Sequence, residues 1–385
     1  MGRQPAPRQN QILAAIESWL KSLGDEPDVG ASPDKAKLLE TAPKRFTAYE
    51  PMVLLPTGSF TAPCWIALLD SIGEEARSRL WNAILAGVSK RGQPALTHLA
   101  TNEGIPLSDG VNGGAENVLR SPCRLKMLQG DFGPASVTED ARWEDEFNKA
   151  FWVSTKQNGV IQTWAPRWTM FSRGNVKEKA RLMTFPAVTD RTSQHWAVDL
   201  YAGIGYFVFS YAKLGFRVLC WEINPWSIEG LRRGAVANGW TVKVVQGEEL
   251  ARPLEHWLAG DEQIVVLSES NERAMQRLQA LPRGIAAEHV NCGFLPTSRP
   301  VWEDAWMMTA GAGEAWLHLH DNVGTKDVEA RKSDIQDLCE AWSKEQGIAN
   351  RLGKVEHVEY VKTYAPDVWH CVFDVHITSP PSLTG

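Results

Sequence analysis

Apolar positions fall in short runs broken by turn residues, and their period changes along the chain. From about residue 195 two kinds of run alternate. "HWAVDLY", "RVLCWEI", "TVKVVQG" and "QIVVLSES" are short and nearly continuous, as strands covered on both faces are. Between them, "YFVFSYAKLG" has helical spacing and ends on Gly215 as a C-cap. "PWSIEGLRRGAVANG" is a helix with Pro225 in its first turn and Gly239 just past its end. "ERAMQRLQAL" and residues 326–346 read as helices, "EHVNCGFLP" and "EAWLHLHDNV" as strands. Only a few residues separate "VEHVEYVKTYA" from "VWHCVFDVHI", which predicts a hairpin. The alternation predicts an α/β doubly wound sheet with an antiparallel ending.

The first half is less regular. "MGRQPAPRQNQILAAIESWLKSLG" reads as a short amphipathic helix and lacks the apolar core of a signal peptide. Residues 24–50 are polar, with "GDEPDVGASPDK" as a linker. "MVLLPTGSF" and "WIALLD" are apolar runs, and "DSIGEEARSRLWNAILAGVSKRG" is a helix with Leu80, Ile84 and Leu85 on one side. "TNEGIPLSDGVNGGAEN" reads as a loop, and a further helix is expected near 140–151. The boundaries so drawn are an N-terminal region 1–117, an α+β linker domain 118–185 and a sheet domain 186–385.

The chain has 385 residues, enough for two or three domains, and 43% of them are hydrophobic. No apolar run is long enough to span a bilayer. Six scattered cysteines without a CxxC pair fit reduced thiols and a cytoplasmic protein. His318 and His320 alternate on a predicted strand, but no third ligand accompanies them, so no metal is expected. A net charge of −6 argues against nonspecific coating of nucleic acid, yet leaves room for one RNA held at a local basic patch.

The first βα turn of such a sheet is where nucleotides bind. Here it reads "DLYAGIGYF", with Gly203 and Gly205 at the turn and Glu222 ending the next strand, suited to both ribose hydroxyls. A dinucleotide site would need a third glycine where Val208 stands. Asp199 beside the turn would also repel a diphosphate, whereas it suits a ligand with an ammonium and a sulfonium. S-adenosylmethionine fits that description; a dinucleotide and a purely structural turn are the other readings. Upstream, "APRWTMFSRGNVKEKARLM" holds Arg167, Arg173, Lys177, Lys179 and Arg181 against Glu178, with residues 172–175 as a tight turn. Such a run is ordinarily a solvated face. Just before the predicted cofactor domain, it could instead meet a cofactor carboxylate or RNA phosphates.

Five segments in order, "NGVIQTWAPRWTMFSRGNVKEKARL", "DLYAGIGYF", "WEINPWSIEGLRRGAVANG", "HVNCGFLPTS" and "VKTYAPDVWHCVFDV", resemble the wybutosine-synthesis aminocarboxypropyltransferases. "KRFTAYEPMVLLPTGSF" and "SPCRLKMLQGDFGP" are similar to fungal members. The resemblance implies a class I methyltransferase-like, Rossmann-like fold. It implies transfer of the 3-amino-3-carboxypropyl group of S-adenosylmethionine to 4-demethylwyosine at position 37 of tRNA(Phe), with release of methylthioadenosine. By the same resemblance Ser172 and Lys179 contact the cofactor, Arg173 orients its carboxylate or a phosphate, and Glu222 binds the ribose. The family's Asp-Asn pair near the adenine corresponds to Ser270 and Asn271 in "SESNERA", with Glu248 as a competitor. "HVNCGFLPTS" would line the base pocket. Trp164 or Trp168 would either stack on the base or pack in the core. The neighbouring tRNA guanine-N1 methyltransferases share the architecture, so methyl transfer is the rival chemistry. A non-catalytic RNA-binding subunit on the same fold is the rival of another kind.

Overall fold

The computed structural model describes residues 10–23, 34–102, 125–137, 142–190, 194–282, 284–346 and 351–379. The chain forms two compact units, one of residues 1–155 with 165–170, the other of 156–164 with 171–385.

In the first unit, strands β1 (Thr47–Tyr49), β2 (Met52–Leu55), β3 (His98–Thr101) and β4 (Lys126–Gln129) form one sheet in that order. The expected N-terminal helix is Gln11–Leu23, and it buries Ile12, Ile16, Trp19, Leu20 and Leu23. The helix Glu74–Val88 turns Leu80, Ile84 and Leu85 into the same core. The linker expected at residues 24–35 lies almost wholly outside the described residues, and the polar stretch after it is ordered into elements. Lys35–Thr41 is a helix, started by Asp34, whose carboxylate accepts the Lys37 N–H at 3.1 Å, and β1 follows it. Most of the glycine-rich stretch 101–117 lies outside the described residues. Strand β6 (Val160–Trp164), which belongs to the second unit, pairs with β5 (Val153–Gln157) as a hairpin.

The second unit holds β7 (Trp196–Asp199), β8 (Arg217–Trp221), β9 (Val242–Val245), β10 (Ile264–Leu267), β11 (Ala287–Cys292), β12 (Glu314–Gly324), β13 (Leu352–Ala365) and β14 (Val368–Thr378). Their order across the sheet is β13-β14-β12-β11-β7-β8-β10-β9. Strands β7 to β12 run parallel, and β14 lies antiparallel between β12 and β13, as the hairpin expectation requires. Side chains alternate between two cores because successive strand residues point to opposite faces. Val198, Leu219, Val265 and Leu267 enter one core; Ala197, Val218, Ile264 and Val266 enter the other. Burial on both faces explains why these strands read as unbroken apolar runs. One ordering was invisible in the sequence: β10 pairs directly with β8, and β9 is pushed to the edge. Among the described residues no helix is long and apolar enough to cross a membrane.

Candidate functional site

The C-terminal ends of β7, β8, β10 and β11 lie side by side, and the chemistry-bearing residues collect there. After β7 the chain turns through Gly203 at φ +53° and Gly205 at φ +87° into the helix Val208–Leu214. These are left-handed conformations in which a side chain is strained. A Cβ on Gly205 would also sit 2.5 Å from the Phe209 ring, and one on Gly203 2.9 Å from the Tyr206 ring. Gly205→Ala should therefore lower stability, by about 1–2 kcal/mol for the backbone and about 1–3 kcal/mol for overpacking. Urea denaturation measures it, and a change under about 0.5 kcal/mol, the range of neutral surface substitutions, would contradict the packing argument.

Glu222, just past β8, locks this turn. Its Oε2 accepts the Gly203 N–H at 2.7 Å, and its Oε1 accepts the Ile223 and Asn224 N–H groups at 2.9 and 2.8 Å. Burial raises its pKa, and the backbone N–H donors only partly oppose that.

Asp199 ends β7 and is fully buried. Its Oδ1 accepts from the Tyr201 N–H at 3.0 Å and from Asn291 Nδ2 at 3.3 Å. Its Oδ2 has no hydrogen-bond partner, nor has Asn291 Oδ1. Asn291 is the register partner of Asp199 on β11. Two bare oxygen acceptors are thus buried on adjacent strands at the glycine turn, and a buried acceptor left unmet costs about 1–3 kcal/mol. Desolvation pushes the Asp199 carboxyl up to about 7, with the Tyr201 and Asn291 donors pulling it down and the Glu222 charge adding to the rise. Such a pair suits a ligand with N–H donors and positive charge. Asn291 was not singled out in the sequence; the signal was an Asn directly before "CG" at the end of a strand parallel to β7.

The adenine candidates separate. Asn271 Nδ2 donates to the Leu200 carbonyl at 2.8 Å, tying the loop after β10 to the segment after β7. Ser270 starts the 3-10 turn Asn271–Arg273, its hydroxyl accepting the Glu272 N–H at 3.3 Å. Glu248 follows edge strand β9, three strands from β7.

The basic segment is not a uniform solvated face. Residues 173–175 form the expected tight turn, a 3-10 helix that leads into the helix Val176–Leu182. The Ser172 N–H donates to the Tyr206 hydroxyl at 3.1 Å, joining this turn to the glycine turn. Lys179 is buried and donates to the amide oxygens of Gln157 and Gln162 at 2.9 and 2.6 Å. Its Nζ lies 5.1 Å from the Phe171 ring centroid and 5.9 Å from that of Tyr206. Desolvation brings its pKa down to about 8. The suggestion that Arg181 is available to an anion is corrected. Its Nη2 donates to Glu178 and Asp374 at 2.7 and 3.0 Å, so its charge is already matched inside the fold. Trp164 is buried and stacks on Phe171 with ring centroids 4.4 Å apart.

His318 and His320 do share a face, but each is paired within the protein. His318 Nε2 lies 3.0 Å from His289 Nδ1, and its Nδ1 lies 2.8 Å from Asp374 Oδ1. His320 Nδ1 lies 2.9 Å from His370 Nε2. Among the described residues no group of His, Cys, Asp or Glu side chains could hold a metal.

A parallel sheet whose first crossover opens on a two-glycine turn, with acids closing its first strand and following its second, defines a Rossmann-like S-adenosylmethionine-dependent transferase fold. Solved structures of this architecture include Pyrococcus horikoshii TYW2 in complex with MeSAdo, 16% identical, with a TM-score of 0.58 over 96% of this chain and 100% of that one. Trm5b from Pyrococcus abyssi superposes with a TM-score of 0.53 at 12% identity, over 98% of this chain and 83% of that one. No family model matches the sequence. Among curated proteins, tRNA wybutosine-synthesizing protein 2 of Schizosaccharomyces pombe is 38% identical over 86% of this chain and 72% of its own length. That of Saccharomyces cerevisiae is 34% identical over 96% of this chain and 81% of its own length. The chain belongs to the tRNA wybutosine-synthesizing protein 2 family.

Proposed function

We propose that this protein transfers the 3-amino-3-carboxypropyl group of S-adenosylmethionine to 4-demethylwyosine at position 37 of tRNA(Phe), releasing methylthioadenosine. Family membership names the pathway. The observation that carries the cofactor assignment is the pair of bare, buried acceptors, Asp199 Oδ2 and Asn291 Oδ1, at the glycine turn. They fit the ammonium of the amino acid arm and leave the dinucleotide reading without support. The cofactor supplies a carbon already activated by a sulfonium, so attack by the base carbon breaks the C–S bond and leaves a neutral thioether on the adenosine. The base carbon gives up its proton to solvent. The protein's part is positioning. Asp199 and Asn291 hold the ammonium, Glu222 the ribose, and Asn271 the adenine end beside Leu200. Ser172 and Lys179 take the carboxylate, with Arg173 at the same turn. The unpaired state of the described cysteines supports a cytoplasmic location.

The test is incubation with tRNA(Phe) bearing either 4-demethylwyosine or guanosine at position 37 and with cofactor labelled separately in the methyl and carboxyl carbons. Carboxyl label in the tRNA is expected. Methyl label alone would make the protein a tRNA guanine-N1 methyltransferase, and no cofactor binding by calorimetry would make it a non-catalytic RNA-binding subunit. Within this reading, Lys179→Ala should weaken cofactor binding about tenfold or more, the scale of one lost charge-assisted hydrogen bond. Lys213→Ala, on the exposed side of the helix Val208–Leu214, should leave it unchanged. Equal titration curves for the two variants would return Lys179 to a packing role.

A further inference from the structure

Several partly buried arginines in the second unit are matched by acids. Arg181 meets Glu178 and Asp374, Arg277 meets Glu269, and Arg331 meets Asp321. Arg351, fully buried, has neutral acceptors in Gln346, Trp306 and Thr309, and lies over the Trp306 ring. Matching of this kind is expected, because an unpaired charge taken out of water is costly.

Among the described residues two lysines also have no carboxylate partner, and both approach residues 171–175. Lys179 has two amide oxygens and no carboxylate. Lys362, on β13, is half-buried, and among the described residues its one hydrogen-bond partner is Ser172 Oγ, at 3.5 Å. Its stem presses on the 3-10 turn: a Cβ on Gly174 would lie 2.4 Å from Lys362 Cδ and 2.8 Å from Nζ. On the neighbouring strand its register partner is His370, whose pKa is lowered to about 3 by burial first and by the Lys362 charge second. No acid offsets the desolvation that lowers the Lys362 pKa. An ammonium is therefore fixed against a segment that is tied, through the Tyr206 hydroxyl, to the glycine turn.

We infer that Lys362 is a second cation for the carboxylate of S-adenosylmethionine, acting with Lys179 at the turn that begins at Ser172. The inference rests on the functional reading above and adds a residue that lies 190 positions away in sequence from the turn it serves. A carboxylate is the anion of choice because Lys362 and Ser172 lie beside a nucleoside turn rather than on an open surface. Holding the carboxylate from two directions fixes the arm whose carbon is transferred, which a methyl donor would not require.

The experiment compares the full-length protein with Lys362→Met by calorimetry, using S-adenosylmethionine, decarboxylated S-adenosylmethionine and tRNA(Phe). The expected result is at least a tenfold loss of affinity for S-adenosylmethionine, with affinities for the decarboxylated analogue and for tRNA unchanged. Equal affinity for S-adenosylmethionine in the two proteins, a parallel loss for both cofactor forms, or a loss confined to tRNA would each overturn the inference. The last would assign Lys362 to an RNA phosphate. Should Lys362→Met fail to give a cooperative melt, Lys362→Gln, which keeps a polar end on the stem, carries the same comparison. If the unmodified protein binds no S-adenosylmethionine, it is the functional proposal that falls.

Discussion

Glu222→Ala should reduce affinity for S-adenosylmethionine by roughly 1–3 kcal/mol through the ribose alone, about 5- to 150-fold. The measured loss should reach the upper end of that range, because this carboxylate has two tasks. It already accepts three backbone N–H groups, from Gly203, Ile223 and Asn224. A carboxylate has about four lone-pair sites, so capacity remains for a ribose hydroxyl. Removing it frees the glycine turn at the moment it removes the ligand contact. The Gly203 amide should then exchange its hydrogen faster even without ligand, which separates the structural share of the effect from the binding share. Calorimetry gives the total. An affinity equal to that of the unmodified protein would remove Glu222 from the ribose.

The second large effect depends on pH. Asp199 sits at about 7 in the folded protein, above the ordinary carboxylate range. The folded state therefore keeps a proton that the unfolded chain has released. The stability this contributes is complete below about pH 4 and is lost as pH rises through about 7. Over that interval the ligand-free protein should lose stability on the order of a few kcal/mol, and Asp199→Asn should not show that loss. Cofactor binding should have the opposite slope. An ammonium placed on Asp199 favours the ionised carboxylate, so binding below pH 7 releases a proton and tightens as pH rises. Above about 8 the amino group itself deprotonates and affinity falls again. Asp199→Asn should bind at least tenfold more weakly at pH 7 and lose the acid limb of this profile. A profile that keeps its acid limb in the variant would assign the titration to another group.

Much of this was legible before the fold was known. The strands around the glycine turn are dense apolar runs because both faces are covered, and that density, with Gly215, Pro225 and Gly239 as punctuation, is a local signal. Asp199, Gly203, Gly205 and Glu222 were readable for the same reason: their meaning depends on a strand before and a helix after. What depends on pairing between distant segments was not readable. Nothing local says that β10 inserts between β8 and β9, which is what brings Asn271 to Leu200 and leaves Glu248 outside. Asn291 gains its meaning only as the register partner of Asp199. Lys362 gains its meaning only where β13 meets the turn at Ser172. The basic segment left two readings open, because a run of charges alone does not say which of its cations turn inward. Lys179 and Arg181 point inward, to two glutamines and to Glu178 and Asp374, and only the folded partners reveal it.

The position of β14 has a consequence for how this molecule is made. It is the last of the eight strands to leave the ribosome, yet it occupies an interior place in the sheet. Until it arrives, β12 offers an open edge eleven residues long, and Arg181, matched later by Asp374, is short of one of its two acids. The glycine turn can be complete in a nascent chain whose sheet is still open along an edge able to pair with another chain. A frameshift after residue 350 would therefore do more than remove a peripheral hairpin. It would release a protein with its cofactor turn intact and an aggregation-prone edge, and such a product would be lost from the soluble pool before its catalysis could be measured.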